Sequence, residues 1–397
     1  MLRSAIVKLT AVCDINCTYC YMFNQSDRTF TRVPKRMALP TALRLLERIC
    51  EHHPRGGEES FSIVLHGGEP MLWPQASFAA LLDQVALRRS QGWKLDVAVQ
   101  TNLVRPIPSP LLQLFHQHGV SLGVSLDGPR ALNDAARVDR LGRGTYDRVI
   151  GNVQRMLKQG DGALIGGFLA VANPAIAPQD FLDWVCSLPI PKIDVLWPIE
   201  FNWRNPPWPL GQARRYAAAP RYGQWFSELF RLWWELDDPA LNVRLFHNVL
   251  HVMLGGRSHI DVLVNDSYNM FVVNTDGSYE YPDYLRVAAD GAAHTALNVA
   301  NTDLDALCQD PLIARLLNLR AELPAACAAC RHCAVCGGGF LPGRSDARHG
   351  IAPRESVLCA DQMHFFDTVA RTLQPAITTR GFHARTVPAD ANSLLPA

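Results

Sequence analysis

A strand–helix alternation repeated six times constrains this chain more than any other feature in it. Apolar, alternating runs at Ser4–Thr10, Phe61–His66, Lys94–Gln100, Val120–Leu126, Ala163–Val171 and Lys192–Ile199 read as strands. Between them, apolar residues at helical spacing predict helices over Leu39–His53, Phe78–Ser90, Pro110–His118, Tyr146–Gln159 and Pro178–Ser187. Repeated units of about 30 residues in this order build a parallel sheet with right-handed crossovers, open or closed into a barrel. Reactive groups in such folds stand at the C-terminal ends of the strands. That is where this sequence concentrates its short motifs.

The pattern changes after the sixth strand. The stretch Trp197–Gly211, WPIEFNWRNPPWPLG, places three Trp and four Pro in fifteen residues and reads as an ordered, irregular connection. Helices are predicted at Tyr222–Asp237 and Val243–Leu254, a strand-like run at Ile260–Val273, and a hairpin-type turn at NTDGSYE, residues 274–280. The remainder is rich in Cys, Gly and loops and ends in a helix near Asp361–Leu373. The expected division is a barrel over 1–210, a helical bridge over 211–258, a Cys-rich domain over 259–373 and a flexible tail over 374–397.

Charge narrows the classes of function. With 38 basic and 37 acidic side chains the net charge is +1, which excludes a broad basic footprint for nucleic acid or an anionic membrane. No apolar run reaches the ~18 residues of a membrane span. The first residues alternate like a strand and lack an export signal, so a cytoplasmic location is expected. In an unexported chain, clustered cysteines read as metal ligands before disulfides. Of eleven cysteines, three lie within Cys13–Cys20 and five within Cys327–Cys359. Cys50 and Cys186 lie on apolar helix faces and read as core thiols, and Cys308 has no assigned role.

CDINCTYC gives Cys13, Cys17 and Cys20 the spacing C-x3-C-x2-C directly after the first strand. Three thiolates on one short loop can hold three irons of a [4Fe–4S] cube and leave the fourth open, as a reactive cluster requires. A structural zinc site would want four ligands, usually as two C-x2-C pairs. The later set, CAACRHCAVCGGGF followed by SVLCADQ, places Cys327, Cys330, Cys336 and Cys359 in C-x2-C-x5-C-x22-C, with Cys333 dividing the longer interval. Taken alone, this run fits an iron–sulfur site or zinc.

On the first loop, with Tyr19 in the aromatic slot, the chain resembles the radical S-adenosylmethionine (radical SAM) enzymes and their C-x3-C-x-aromatic-C motif. The resemblance extends to HGGEP (His66–Pro70), QTN (Gln100–Asn102), SLDGP (Ser125–Pro129) and Arg137, twelve residues after Ser125. It implies a partial (β/α)6 TIM-like α/β barrel followed by a SPASM-like auxiliary-cluster domain. It implies S-adenosylmethionine as cofactor, with Tyr19 near the adenine and Gly67, Gly68 and Glu69 at the methionine amino group. Gln100 and Asn102 would line that site, Ser125 would meet the ribose, and Arg137 the methionine carboxylate. Cys327, Cys330, Cys336 and Cys359 would hold one auxiliary [4Fe–4S] cluster, with Cys333 a substitute ligand. Two thiolates of a second auxiliary cluster are replaced by Asp283 and Phe340, which implies that this cluster is absent or remodelled. Asp283 would then be left beside the substrate as a base, while Glu280 reads as a turn residue.

CDINCTYCYMF, VLHGGEP, GVSLDGP with Asn133 and Asp134, LWPIEFNW, VNTDGSYE and CGGG with SVLCAD are similar to the FxsB-type peptide maturases, which form cyclophanes in ribosomal peptides. FLPGR after CGGG, and Cys333, depart from that subgroup. The resemblance implies a precursor-peptide substrate and a C–C cross-link from a β-carbon to an aromatic ring. It also implies a reducing partner such as flavodoxin or ferredoxin. Only twelve residues precede Cys13, so leader recognition would fall to the core, the C-terminal region or a separate leader-binding protein. The alternatives are another maturase outcome (thioether formation, epimerisation, or formylglycine formation in a sulfatase) and, remotely, a non-enzymatic zinc or iron–sulfur module.

Overall fold

A computed structural model describes residues 2–258, 260, 262–263, 268–319, 323–346, 350–351 and 354–379. The barrel half is built from β1 (Ser4–Thr10), α1 (Leu39–His52), β2 (Phe61–Gly67), α2 (Gln75–Ser90), β3 (Leu95–Thr101), α3 (Ser109–His118), β4 (Ser121–Ser125), α4 (Arg130–Ala136), α5 (Tyr146–Gln159), β5 (Ile165–Val171), α6 (Pro178–Ser187) and β6 (Lys192–Leu196). The six strands lie side by side in chain order, all parallel, as the alternation predicted. Successive side chains point to opposite faces. On β2, Phe61, Ile63 and Leu65 are buried beneath the helices while Ser62, Val64 and His66 face the barrel interior. Proline in the first helical turn opens α1, α3 and α6, where its missing N–H leaves no bond unmade. Gly119 and Gly160 close α3 and α5 in the left-handed conformation.

The second half holds α7 (Ala213–Ala218), α8 (Arg221–Leu236), β7 (Asn242–Val243), α9 (Arg244–Met253), β8 (Met270–Val273), β9 (Ser278–Glu280), β10 (His294–Asn298), α10 (Leu304–Leu307), α11 (Pro311–Leu317), α12 (Ala325–Ala328), α13 (Cys333–Cys336), a short β11–β12 pair (Ser345–Asp346, Gly350–Ile351) and α14 (Cys359–Thr379). It does not fold apart from the barrel. The strand β8 pairs parallel with β1, and β9 and β10 extend that edge antiparallel, making one ten-stranded sheet. This pairing carries Glu280 and Asp283 to the barrel mouth. On the other side α14 packs on α8, with Phe365 5.7 Å from Phe226 and 6.2 Å from Phe230. Such ring pairs add about 0.5–1.5 kcal/mol each beyond their buried area.

Several boundaries differ from expectation for local reasons. The helix α2 begins at Gln75 because extended Pro74 precedes it, and β6 stops at Leu196, ahead of Trp197 and Pro198. The last helix continues to Thr379 with Pro375 inside it, so the expected tail from 374 begins as helix. Residues 380–397 of that tail, and parts of the strand-like run over 260–273, lie outside the described residues. Cys186 is exposed, not a core thiol, because α6 buries Phe181, Leu182, Trp184 and Val185 on the other face. The aromatic connection ties the halves together: Trp197 stacks 4.2 Å from Phe226, and Trp203 donates from Nε1 to the Glu355 carbonyl at 3.1 Å. No described helix is long and apolar enough to cross a membrane.

Candidate active site

The cysteine loop leaves β1 and is clamped from two directions. From below comes the turn after β2, where Gly68 N donates to the Thr10 carbonyl and Glu69 N to the Val12 carbonyl, each at 2.9 Å. Glycine is required there. A Cβ at Gly67, whose φ is +127°, would stand 2.9 Å from Thr10 N, and one at Gly68 would stand 2.5 Å from the Val12 carbonyl carbon. From the side comes the segment after α4. Asn16 N bonds the Val138 carbonyl at 2.7 Å, Thr18 N the Ala136 carbonyl at 3.0 Å, and Arg140 Nη2 the Cys13 carbonyl at 2.8 Å.

The three thiols are largely shielded from water, and burial pushes Cys13 up to about 12 and Cys17 up to about 11. As free groups they are therefore protonated at neutral pH, and metal binding must displace those protons. Asn102 reaches the same place, donating from Nδ2 to Asp14 Oδ1 at 2.8 Å and to Cys13 Sγ at 3.6 Å.

Glu69 is the most informative of the expected cofactor residues. It is buried and accepts from Thr101 Oγ1 at 2.8 Å, Asn102 N at 2.8 Å and Met71 N at 3.0 Å, with no cation among its partners in the described residues. Burial raises its carboxyl to about 7 against those bonds. A buried carboxyl raised in this way fits an ammonium group as its missing partner. Arg137 is its counterpart. It is buried and donates from Nη1 to Tyr19 Oη at 2.8 Å, and Tyr19 in turn donates to Asp127 Oδ2 at 2.5 Å. Burial works against the guanidinium charge, but facing Tyr19, Cys17 and Asp127 outweigh it and hold Arg137 charged. A buried forked donor suits a carboxylate. Gln100 donates from Nε2 to Ser125 Oγ at 2.8 Å, joining the ends of β3 and β4.

Asp283 stands across the mouth from the loop, and its surroundings were not legible in the sequence. Tyr21 Oη donates to Asp283 Oδ2 at 2.5 Å, and Lys8 Nζ lies 3.5 Å from the same oxygen. Burial pushes this carboxyl up, but Lys8, His66, Tyr21 and Arg286 together bring it below its usual value. Glu280 is not free: Lys8 at 3.0 Å, Arg286 at 2.5 Å and Asn274 at 2.9 Å all engage it, and Arg286 also pairs with Asp27 at 2.6 Å. Lys8 and Arg286 thus tie β1, the hairpin and the loop after the cysteines into one buried ionic network. Lys8 was hidden as one position of an alternating strand. Tyr21 and His66 stood inside recognised motifs without a role.

The second cysteine set lines a cavity of about 460 Å³. Cys327, Cys330, Cys333, Cys336 and Cys359 all face it, with Phe366 and Gln362. Burial raises Cys336 above the ordinary thiol range and Cys359 to about 11. Among the described residues no three His, Cys, Asp or Glu side chains converge on one point. The five thiols share the wall of one cavity, and Cys336 and Cys359 each face Cys327 and Cys330 closely enough to raise one another. Phe340 packs 5.1 Å from Tyr284 as an ordinary core ring.

Residues 7–169, which hold the cysteine loop, the Gly-Gly-Glu turn and Arg137, match the radical SAM superfamily. The N-terminal barrel has the radical SAM fold. Such a domain works with S-adenosylmethionine on a [4Fe–4S] cluster, and Glu69, Arg137 and the three thiols have the charges and burial to hold them. The cysteine-type anaerobic sulfatase-maturating enzyme of Clostridium novyi is 24% identical over 286 residues, 68% of this chain and 70% of the relative. That of Clostridium perfringens (strain ATCC 13124) is 21% identical over 358 residues, 89% and 92% of the two. The serine-type enzyme of Bacteroides thetaiotaomicron is 26% identical over 179 residues, 44% of this chain and 41% of that relative. In structure, native anSMEcpe with bound AdoMet superimposes with a TM-score of 0.78 at 18% identity, covering 95% of this chain and 99% of the other. Streptococcus suis SuiB bound to precursor peptide SuiA superimposes with a TM-score of 0.55 at 17% identity, covering 91% and 76%. The radical SAM barrel and its Cys-rich extension therefore share one fold with these proteins.

Proposed function

We propose that this chain is a radical SAM maturase that oxidises a side chain of a peptide or protein at its β-carbon, in the manner its sulfatase-maturating relatives suggest. The observation that supports this most is the position of Asp283 at the barrel mouth, with Tyr21, the neighbour of Cys20, hydrogen-bonded to it. When bound, S-adenosylmethionine and its reduced cluster supply a 5′-deoxyadenosyl radical able to remove a hydrogen atom from an unactivated carbon. This chain's residues do the rest. Glu69 and Arg137 would hold the ammonium and carboxylate of the methionine moiety, and Ser125, bonded by Gln100, would meet the ribose. The mouth keeps an ionised carboxylate, Asp283, close to where a substrate proton would be lost. The auxiliary thiols Cys327, Cys330, Cys336 and Cys359 would hold an iron–sulfur group able to accept the second electron.

This reading reverses the order expected from the sequence, where a cyclophane cross-link came first. That outcome remains the second reading, favoured by the half-buried rings of Phe201, Trp203 and Trp208 beyond the end of β6. A flavodoxin- or ferredoxin-type protein would supply the first electron.

The test is mass spectrometry of cysteine- and serine-containing peptides, and of peptides with paired aromatic residues, after anaerobic turnover with dithionite. A product that reacts with a hydrazide supports aldehyde formation. A product two hydrogens lighter that does not react and resists fragmentation between two residues supports the cross-link. No peptide-dependent change with either class refutes both readings.

A further inference from the structure

One ionisable side chain on the barrel's interior face neither joins the ionic network nor meets the cofactor residues. His66 pairs in register with Lys8 of β1 and lies one step beyond the Leu65–Val99 pairing of β3, level with Gln100. It therefore stands in an interior layer with Lys8 on one side and Gln100 on the other. Both neighbours are occupied, Lys8 by Glu280 and Asp283 and Gln100 by Ser125. His66 differs: its Nδ1 is buried and has no hydrogen-bond partner among the described residues. A buried polar atom of this kind calls for an explanation. Gly67, Gly68 and Glu69 follow it directly, so the imidazole adjoins the turn that backs the cysteine loop.

The groups facing His66 can be named element by element. From β1 comes Lys8, from the turn after β9 comes Asp283, and from β3 comes neutral Gln100; Tyr21 reaches it only through Asp283. Burial and Lys8 favour the neutral imidazole, and Asp283 opposes them, with a net lowering. Asp283 is placed the other way. Its Oδ2 already accepts from Tyr21 and faces Lys8, which leaves it ionised and a weakened base. Of the two groups, the neutral histidine, with a ring nitrogen that no described side chain engages, is the better proton acceptor near pH 7.

We propose that His66 accepts the proton that the substrate loses during oxidation, with Asp283 as the counter-ion for the imidazolium. This rests on the peptide-oxidation reading. For a cysteine side chain, the β-carbon gives one hydrogen atom to the S-adenosylmethionine-derived radical. The S–H bond gives its proton to His66, and one electron leaves for an iron–sulfur acceptor, which Cys327, Cys330, Cys336 and Cys359 would hold. One C–H and one S–H bond break, a C=S double bond forms, and two hydrogens in total are removed.

Two measurements test the proposal. The first needs no substrate: histidine-labelled holoenzyme is titrated by 13C NMR, with His66→Gln to assign the signal. His66 should be neutral at pH 7, and Asp283→Asn should lower its midpoint by roughly one pH unit, since an attracting carboxylate is lost. A His66 charged at pH 7, or indifferent to Asp283→Asn, overturns the proposal whatever the substrate. The second uses a synthetic peptide with a central cysteine and counts oxidised peptide per 5′-deoxyadenosine. His66→Gln, checked for wild-type iron content, should lower that ratio about a hundredfold. An unchanged ratio refutes the proton-acceptor role. Absence of product from the wild-type enzyme refutes the peptide-oxidation reading instead.

Discussion

Replacing Gly68 by alanine adds one methyl group where the structure has no room for it. Its Cβ would stand 2.5 Å from the Val12 carbonyl carbon and 2.8 Å from Phe23 Cζ, and closer still to the Val12 oxygen, where ordinary contact begins at 3.4 Å. The shortfall is about 1 Å, and most of it falls on backbone directly preceding Cys13. The Phe23 ring can swing aside, but the carbonyl cannot. Val12 is held by Glu69 N at 2.9 Å, the same residue that should receive the methionine ammonium. Overpacking of this kind costs about 1–3 kcal/mol of stability. A misplacement of about 1 Å near reacting groups can lower the rate a hundredfold. We expect Gly68→Ala to fold, to lose about 2 kcal/mol in chemical denaturation, and to cleave S-adenosylmethionine about a hundredfold more slowly. Iron content, denaturant titration and 5′-deoxyadenosine release measure the three effects. A variant with wild-type iron and wild-type cleavage would refute the claim that this turn and the cysteine loop are in rigid contact.

Glu69, raised to about 7 without its partner, should ionise when an ammonium binds, so S-adenosylmethionine binding near pH 6 should release protons. Calorimetry in buffers of different ionisation enthalpy measures this, and Glu69→Gln should abolish it. By the same linkage, Glu69 favours the cofactor-free fold at low pH and loses that contribution as pH rises through about 7. Lys8→Met would leave Glu280 and Asp283 as buried carboxylates short of a cation, a change that costs about 3–5 kcal/mol in comparable pairs. Denaturant titration should show that loss, and a neutral result would mean the network contributes nothing. Cys359→Ala should lower auxiliary iron and product while leaving some cofactor cleavage. Cys333→Ser should keep full iron, and loss of a cluster would reassign the ligands.

Most of the barrel could be read from local pattern, because its strands and helices are determined by apolar periodicity and by prolines in first turns. The helix over Tyr146–Gln159 and the strand at Ser4–Thr10 agree with expectation to the residue. The cysteine loop and the Gly-Gly-Glu turn were legible for the same reason, since each motif is contiguous. What stayed hidden depends on pairing between distant segments. That β8 returns to β1 follows from no short window of sequence, yet it alone brings Asp283 to Tyr21 and makes Lys8 an interior cation. The tie of Arg137 to Tyr19 likewise spans more than a hundred residues. Arg137 could be placed from the sequence only by resemblance, and Lys8 and His66 received no role. Cys186 was misjudged because a short helix with one wide apolar face leaves little margin for the residue at its border.

The central claim is that the chain is a radical SAM enzyme whose loop at Cys13, Cys17 and Cys20 does the chemistry. Anaerobic reconstitution followed by quantification of 5′-deoxyadenosine after reduction with S-adenosylmethionine tests it most directly. The reconstituted protein should hold about eight irons per chain, two cubes of four, and release 5′-deoxyadenosine, whereas Cys13→Ala should release none. Fully loaded wild-type protein that releases no 5′-deoxyadenosine, or a Cys13→Ala variant that still does, would contradict it.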